Sequence, residues 1–254
     1  MNFKNKGPNK LKAQIMHNLR TETETWNLLE KTVKIIPRIF IWGPPGVGKS
    51  YTAYKILKTT NTTVWQATLD EDKAVQELLG HFIPKGNVFM WHNGPVTTAF
   101  KKGHGLVVNE LARASSAVKD MFLGILDDPK IAFLSLPSGE SIKRAKNFRV
   151  VATANNPPNE LDEALRDRFD VIINVKTPHP AIIENLNKKI VGLGDMILSS
   201  YRDPARAISP RRAFAFINLL DKKMLTEEAA LLAFGYRYKD ILAIAKAKGI
   251  KIKK

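Results

Sequence analysis

Cysteine is absent from the 254-residue chain, which excludes disulfide bonds and thiolate metal sites. Long apolar runs are absent as well: no uninterrupted run approaches the ~18 residues of a membrane span, so we expect none. The opening residues, MNFKNKGPNK, contain no apolar core of the kind that a secretion signal needs. Together these absences lead us to expect a cytoplasmic protein.

Acidic residues are scarce relative to basic ones. The chain has 24 Asp and Glu against 40 Lys and Arg, which gives a formal net charge of +16. A field of this sign attracts polyanions such as nucleic acid, nucleotides or acidic proteins. Solubility alone would also account for a lysine-rich surface, and composition does not separate these explanations.

Short apolar segments alternate with helical periods as far as residue 177, and only helical periods follow. This pattern predicts an α/β fold in which helices cover a parallel sheet, followed by a small all-helical domain. We expect a flexible basic segment over residues 1–24, an α/β core with hairpin insertions over 25–177, and a helical lid with a basic tail over 178–254. Strands are predicted at 38–42, 62–68, 106–108, 148–154 and 171–175, hairpins within 82–102 and 131–145, and helices at 11–19, 25–34, 51–60, 72–80, 114–126 and 159–167.

The segment GPPGVGKS follows the first predicted strand and precedes a helix. It matches G-x-x-x-x-G-K-[ST], in which glycines let backbone N–H groups face a phosphate at the positive end of the helix. Lys49 would reach the terminal phosphates, and the Ser50 hydroxyl would bind Mg²⁺. The residues expected to contact the nucleotide are Gly43, Pro44, Pro45, Gly46, Val47, Gly48, Lys49, Ser50 and Tyr51.

The segment GLVVNELARA reads as a buried strand that ends in Asn109 and Glu110. Its position, about sixty residues after Lys49, leads us to expect this strand directly beside the strand that precedes the phosphate loop. Glu110 could then act as general base on an attacking water molecule. Without the phosphate loop, a solvated glutamate at a strand end would be the simpler interpretation.

Three further segments carry candidate polar groups. In VVATANNPP, Asn155 could place its amide near the γ-phosphate, or the segment could simply end a strand. In EALRDRFD, Arg166 and Arg168 could pair with local carboxylates or cross to a neighbouring subunit as arginine fingers. In ISPRRAF, Ser209 and Pro210 begin a helix and place Arg211 in its first turn, where a cation is disfavoured unless an anion binds nearby.

These segments occur in the order typical of AAA+ ATPases, and in detail the sequence resembles the MoxR-type branch. The resemblance runs from about residue 26 to residue 232 and includes ELLG, NELARASSAVKDMFLGILDD, TANNPP, EALRDRFD and SPRRA. It implies ATP and Mg²⁺ as ligands and rings, usually hexamers, that remodel or activate a protein client. It also implies roles for individual residues: a Walker B element ending in Asn109 and Glu110, a sensor at Asn155, a finger at Arg168 or Arg166, and a second sensor at Arg211.

The sequence departs from that branch in two places. Asn109 stands where a Walker B aspartate is usual, so one negative charge beside the cation is lost and weaker Mg²⁺ binding is expected. The predicted hairpin SGESIKRAKNFR is unusually basic, which leaves nucleic acid open as a partner. Two alternatives therefore stand beside the protein-remodelling ATPase: a nucleic-acid motor or loader of the same fold, and an assembly module that binds nucleotide without hydrolysing it.

Overall fold

The computed structural model describes residues 22–252, without the side chains of residues 22–24 and 204. The helix predicted over 11–19 lies outside these residues. The strands are β1 (Arg38–Trp42), β2 (Val64–Thr68), β3 (Gly80–Lys85), β4 (Val88–Asn93), β5 (Gly105–Asn109), β6 (Phe133–Ser135), β7 (Ser141–Lys143), β8 (Arg149–Ala154) and β9 (Val171–Asn174). The helices are α1 (Glu22–Thr32), α2 (Lys49–Lys58), α3 (Val75–Leu79), α4 (Pro95–Lys102), α5 (Ser116–Ile125), α6 (Glu163–Asp167), α7 (Pro180–Lys189), α8 (Leu193–Ser200), α9 (Pro210–Asp221), α10 (Thr226–Phe234) and α11 (Tyr238–Ala247).

The chain divides into two compact units. One contains residues 22–43 together with Lys49–Asn174, and the other contains Pro44–Gly48 together with the residues from Val175 onward. None of the helices in residues 22–252 is long and apolar enough to cross a membrane.

A five-stranded parallel sheet with the order β2-β5-β8-β1-β9 forms the centre of the first unit. Every residue of β5 is buried, and so are the last five residues of β8, as expected for strands covered on both faces. The apolar runs in the sequence follow from this double burial. The predicted fold class, a parallel-sheet core with helices and a C-terminal helical region, is confirmed.

The expectation that the strand carrying Glu110 lies directly beside β1 is wrong. β8 lies between them and pairs with both, with Val151 opposite Ile39 on one side and opposite Val107 on the other. Chain spacing could not reveal this order, because a crossover connection can return to a strand position one or two places away. The physical consequence is that Asn155, the residue following β8, lies between the end of β1, where the phosphate loop begins, and the end of β5, which Glu110 follows.

Helix α1 and helix α4 illustrate what local patterns do and do not specify. Trp26, Leu29 and Val33 are buried, as their shared helical face predicts. Helix α4 was not anticipated within the predicted insertion, although Pro95 begins it and Gly103 ends it in the left-handed conformation, with φ 70°. The rest of that insertion is the antiparallel hairpin of β3 and β4.

The second unit consists of helices α7 to α11 packed around their own apolar core, with Leu186, Ile197, Ala213 and Phe216 among its buried residues. Phe216 and Phe234 contact one another across α9 and α10, with ring centroids 5.3 Å apart. Since these side chains recur at helical spacing, the amphipathic periods at the C-terminal end of the sequence indicate this unit directly.

Candidate functional site

The loop between β1 and α2 depends on its glycines. Gly43, Gly46 and Gly48 have positive φ angles of 151°, 82° and 96°, which residues other than glycine rarely adopt. The N–H of Gly43 donates to the carbonyl of Ala154 (3.3 Å), which ties the start of the loop to the end of β8. Helix α2 begins at Lys49, so the loop ends at a helix N-terminus, a favourable place for an anion.

Residues Pro44–Gly48 of the loop belong to the second unit, where Gly46 lies against the start of α9. A Cβ atom on Gly46 would lie 2.2 Å from Ser209 Oγ, so a larger residue does not fit at this position. The N–H of His179 donates to the carbonyl of Val47 (3.3 Å). Arg211 is exposed in the first turn of the helix that Ser209 precedes, so the arginine predicted as a sensor belongs to a helix whose start lies against the loop.

Lys49 is buried, and its ammonium group is directed to the carboxyl edge of the sheet. Lys49 Nζ donates to the carbonyl of Gly43 (2.8 Å) and to Asn155 Oδ1 (2.8 Å). A buried ammonium group requires acceptors, and both of these lie at the ends of strands β1 and β8.

Asn155 connects Lys49 to Glu110. Its amide Nδ2 donates to Glu110 Oε1 (2.8 Å), while its Oδ1 accepts from Lys49. An ammonium group can only donate and a carboxylate can only accept, so these two partners fix the orientation of the amide. The three side chains form one hydrogen-bonded chain across β1, β8 and β5, which we call the Lys49–Asn155–Glu110 chain.

Glu110 adopts the left-handed conformation, with φ 59° and ψ 40°. Lys223 is the only other residue besides glycine with positive φ in the described part of the chain. A side chain in this conformation costs about 1 kcal/mol or more, and such strain is concentrated at functional sites. The strain turns the half-buried carboxylate from the end of β5 toward Asn155.

Asn109 ends β5 and is buried directly before Glu110. Its Oδ1 accepts a hydrogen bond from Thr153 Oγ1 (3.2 Å), a threonine buried among the apolar residues that follow Arg149 in β8. An amide oxygen has two lone pairs, so Oδ1 can accept a second contact. The exposed hydroxyl of Ser50 and the amide oxygen of Asn109 are oxygen donors of the kind that Mg²⁺ prefers, and they fit this ion with one charge fewer than an aspartate would supply.

Within the described residues, no group of three or more His, Asp or Glu side chains could hold a metal ion by itself. A cation at this site would therefore depend on few protein ligands. Mg²⁺ commonly binds in that way, with waters and substrate phosphates completing its coordination.

Arg166 and Arg168 lie near the end of α6, and the contacts described below do not join them to the Lys49–Asn155–Glu110 chain. Arg168 Nε lies 3.6 Å from Asp127 Oδ1, too far for a hydrogen bond, and both side chains are about one-third exposed. Arg166 is half-buried and follows the start of the same short helix. The structure thus places both arginines apart from the residues that the three strands bring together.

Two residues of this region escaped the sequence interpretation. Thr153 could have been noticed as the one hydroxyl in the buried strand segment VVATA. Arg38, at the start of β1, forms a two-pronged ion pair with Asp170 through Nε (3.0 Å) and Nη2 (2.6 Å). Its Nη1 also donates to the carbonyls of Leu126 (2.6 Å) and Asp127 (2.8 Å). A lone arginine at the start of a strand gives no signal of these contacts.

Two arginines of the basic segment SGESIKRAKNFR donate hydrogen bonds to backbone carbonyls of the protein itself. Arg144 donates to the carbonyl of Phe148, and Arg149 donates to the carbonyls of Val33 (2.9 Å) and Lys34 (3.1 Å). Burial lowers the pKa of both guanidinium groups from their usual value, and for Arg144 the neighbouring arginines lower it further. Lys143 and Lys146 remain exposed.

Comparison with known proteins agrees with this geometry. The family model of the AAA domain (dynein-related subfamily) matches residues 38–169. Uncharacterised proteins of Staphylococcus aureus strains USA300 and NCTC 8325 are 27% identical over 183 residues, which cover 69% of this chain and 69% of each relative.

Solved structures share the fold. NtrX from Brucella abortus in complex with ADP has a TM-score of 0.55 at 15% identity, covering 95% of this chain and 69% of that one. The same protein in complex with ATP gives 0.54 at 16% identity, covering 95% and 70%. The sheet order, the glycine loop and the family match lead to one conclusion: the chain belongs to the AAA domains of the dynein-related subfamily.

Proposed function

We propose that the protein is an AAA+ ATPase that hydrolyses ATP to ADP and phosphate at the boundaries between subunits of a ring. The observation that supports this most is the Lys49–Asn155–Glu110 chain, which links a buried cation to a strained carboxylate through one amide. A purely structural glutamate at a strand end would not require a left-handed backbone. Family membership and the glycine loop add the means of binding a triphosphate.

In this proposal the loop N–H groups and Lys49 bind the phosphates, and Glu110 takes a proton from the attacking water. Lys49 would exchange one of its present acceptors for a phosphate oxygen, as an ammonium group donates equally well to either. Asn155 would hold the carboxylate of Glu110 in place and donate to the water or to the γ-phosphate. Positioning and charge stabilisation supply most of the rate in phosphoryl transfer, and this arrangement provides both.

Ser50 and Asn109 would hold Mg²⁺, whose charge neutralises the phosphate oxygens when it is bound. Thr153 keeps the amide oxygen of Asn109 fixed by its hydrogen bond. Because the amide is neutral, the site would bind the cation more weakly than a carboxylate site while the general base is kept.

The remaining roles concern subunits and partners. Arg168, or otherwise Arg166, would reach the nucleotide of a neighbouring subunit in a hexameric ring, and Arg211 would sense the nucleotide from the start of α9. The present pairing of Arg168 with Asp127 is weak enough to be exchanged for a phosphate. We assign the protein to the MoxR-type branch on its sequence motifs and propose a protein client that it remodels or activates.

The basic hairpin gives less support to a nucleic-acid motor than its sequence suggested, because Arg144 and Arg149 donate to backbone carbonyls. Stimulation of ATP hydrolysis by DNA or RNA at physiological salt would nevertheless favour that alternative over a protein client.

The decisive variant is Glu110→Gln, which keeps the size and a hydrogen-bond acceptor but removes the base. We expect Mg²⁺-dependent ATP hydrolysis by the native protein and a loss of at least about 100-fold in Glu110→Gln, with nucleotide affinity retained. Glu228→Gln, an identical change at an exposed position of α10, serves as the control and should hydrolyse ATP normally. Undiminished hydrolysis in Glu110→Gln would refute the role of Glu110, and tight ATP binding without turnover in the native protein would indicate an assembly module.

A further inference from the structure

The hairpin of β3 and β4 exposes large apolar side chains on both of its faces. Cross-strand register puts Ile83 opposite Met90 on one face and Phe82 opposite Trp91 on the other. The exposed fractions are 49% for Phe82, 38% for Ile83, 60% for Val88, 73% for Phe89 and 45% for Met90. Neighbouring apolar side chains that are exposed in this way mark an interaction site. A partner that covered only one face of the hairpin would leave the apolar side chains of the other face exposed to water.

The base of the hairpin is fixed, so the exposed strands are presented in a defined direction. A Cβ atom on Gly80 would lie 2.2 Å from the carbonyl oxygen of His92, and one on Gly94 would lie 2.4 Å from that of Leu78. The N–H of Gly94 donates to the carbonyl of Leu79 (2.8 Å). Trp91 packs partly against the core and donates from Nε1 to Asn93 Oδ1 (2.8 Å).

The two outer edges of the hairpin differ. The edge of β3 contains Pro84, which cannot donate a hydrogen bond, and Lys85, whose charge discourages pairing. The edge of β4, VFMWHN, has neither a proline nor a charged residue, and within residues 22–252 no other strand pairs with it. Natural edge strands usually carry such protection, because an open apolar edge pairs with other chains.

We propose that the open edge of β4 binds an extended apolar segment of a protein client by adding it as a third strand. Backbone hydrogen bonds to β4 would supply affinity, and the side chains on both faces would cover those of the added segment. This inference names the class of client and rests on the proposed remodelling function. Because main-chain pairing requires little side-chain specificity, an unfolded polypeptide is sufficient for binding.

Charge indicates that the preferred segment carries acidic residues. The chain has no Asp or Glu from position 78 to position 109, and Lys85 is exposed beside the turn of the hairpin. The same turn, Lys85-Gly86-Asn87, is polar, so insertion of the hairpin tip into hydrocarbon is unfavourable. These two features favour a polypeptide over a lipid surface.

Two variants of the full-length protein test the edge directly. Met90→Glu and Ile83→Glu place the same negative charge on the same face at directly opposite positions of similar exposure. A strand added at β4 lies ~4.8 Å from β4 but about twice that from β3. With reduced, carboxymethylated and fluorescein-labelled α-lactalbumin as the probe, we expect Met90→Glu to weaken binding by about tenfold or more and Ile83→Glu by less than about threefold.

Hydrogen exchange provides a second measurement that does not depend on variants. Binding of the probe should slow amide exchange in residues 88–93 and leave residues 80–85 unchanged. Equal loss of binding in both variants, or protection without preference for β4, would overturn edge pairing. So would native protein that ignores the probe but self-associates through β4 or binds vesicles of phosphatidylglycerol.

Both measurements are made without nucleotide, with circular dichroism and basal ATP hydrolysis as checks that each variant is folded. Neither position belongs to the proposed hydrolytic site. Failure of hydrolysis with probe binding intact would therefore count against the proposed ATPase alone, whereas loss of probe binding in a hydrolysing protein would count against the β4 edge alone.

Discussion

At the scale of single residues, the carboxyl edge of the sheet is governed by neutral amides placed beside charged groups. Asn155 satisfies a cation and a carboxylate simultaneously, and Asn109 presents its oxygen where a carboxylate would add charge. Neutral amides reduce the electrostatic field at the site without removing any hydrogen-bonding position. The expected consequence is a lower affinity for Mg²⁺ with the reaction itself preserved.

Asn109→Asp should restore that charge. The carboxylate can still accept the hydrogen bond from Thr153, and one added charge a few ångströms from the cation should lower the Mg²⁺ concentration for half-maximal hydrolysis by roughly tenfold, or about 1.4 kcal/mol. The measurement is ATP hydrolysis titrated with Mg²⁺. Because the change is nearly isosteric, an unchanged titration would show that position 109 does not contact the cation or its waters.

Residues near strand ends could be anticipated because their positions are set by the backbone. The motif spacing indicated Lys49, Glu110 and Asn155, and the structure brings these three into one hydrogen-bonded chain. Their functional roles remain predictions. Thr153 escaped notice because its partner comes from a different strand, and such a contact depends on strand order rather than on local sequence.

At the scale of elements, β8 organises the site by separating the strand of the phosphate loop from the strand of Glu110. The expected direct adjacency of those strands was wrong, yet the separation gives Asn155 room to bridge them. Strand existence followed from apolar runs that are buried on both faces. Strand order did not, because all five strands of this sheet are parallel and no local feature of a strand shows which strands will lie beside it.

A second junction of elements is held by Arg38. Its guanidinium ties the end of α5, through the carbonyls of Leu126 and Asp127, to Asp170 at the start of β9. Asp170 follows Arg168 by two residues, and Asp127 also lies beside Arg168, so the junction sets the position of the proposed finger. Both charges of the Arg38–Asp170 pair are largely shielded from water.

Arg38→Lys should destabilise the protein, because a lysine has one ammonium group and cannot replace the planar fork. We expect a loss of about 1–3 kcal/mol in the free energy of unfolding, measured with urea and tryptophan fluorescence. Arg113→Lys, the same change at an exposed position, should alter stability by less than about 0.5 kcal/mol. Equal effects of the two substitutions would mean that the Arg38 contacts contribute nothing specific.

At the scale of the whole molecule, the sequence indicated an α/β core and a helical C-terminal part, since the change from alternating to purely helical periods is a long-range signal. It did not indicate that Pro44–Gly48 would group with the helical unit. Nor could it reveal that the predicted hairpin of β3 and β4 would expose its apolar side chains, because an apolar strand that will be buried and one that will remain exposed have the same composition.

In the proposed ring, each hydrolytic site needs Lys49 from one subunit and Arg168 from its neighbour. Arg168→Ala and Lys49→Ala should each abolish hydrolysis, the first by removing the finger and the second by removing the phosphate contact. When the two variants are mixed in equal amounts, about a quarter of randomly formed boundaries would contain an intact site and an intact finger, and activity should recover accordingly. Mixtures that remain inactive would place Arg168 outside any shared site.

The central claim is that Asn155 and Glu110 act together on one water molecule. It is tested most directly by single-turnover ATP hydrolysis in Asn155→Ala, Glu110→Gln and the double variant. If the two residues acted independently, the fold-losses of the two single variants would multiply in the double variant. We predict that the double variant is at least about fivefold faster than that product, a coupling of about 1 kcal/mol. Losses that multiply within a factor of about two, or an undiminished rate in Glu110→Gln, would contradict the claim.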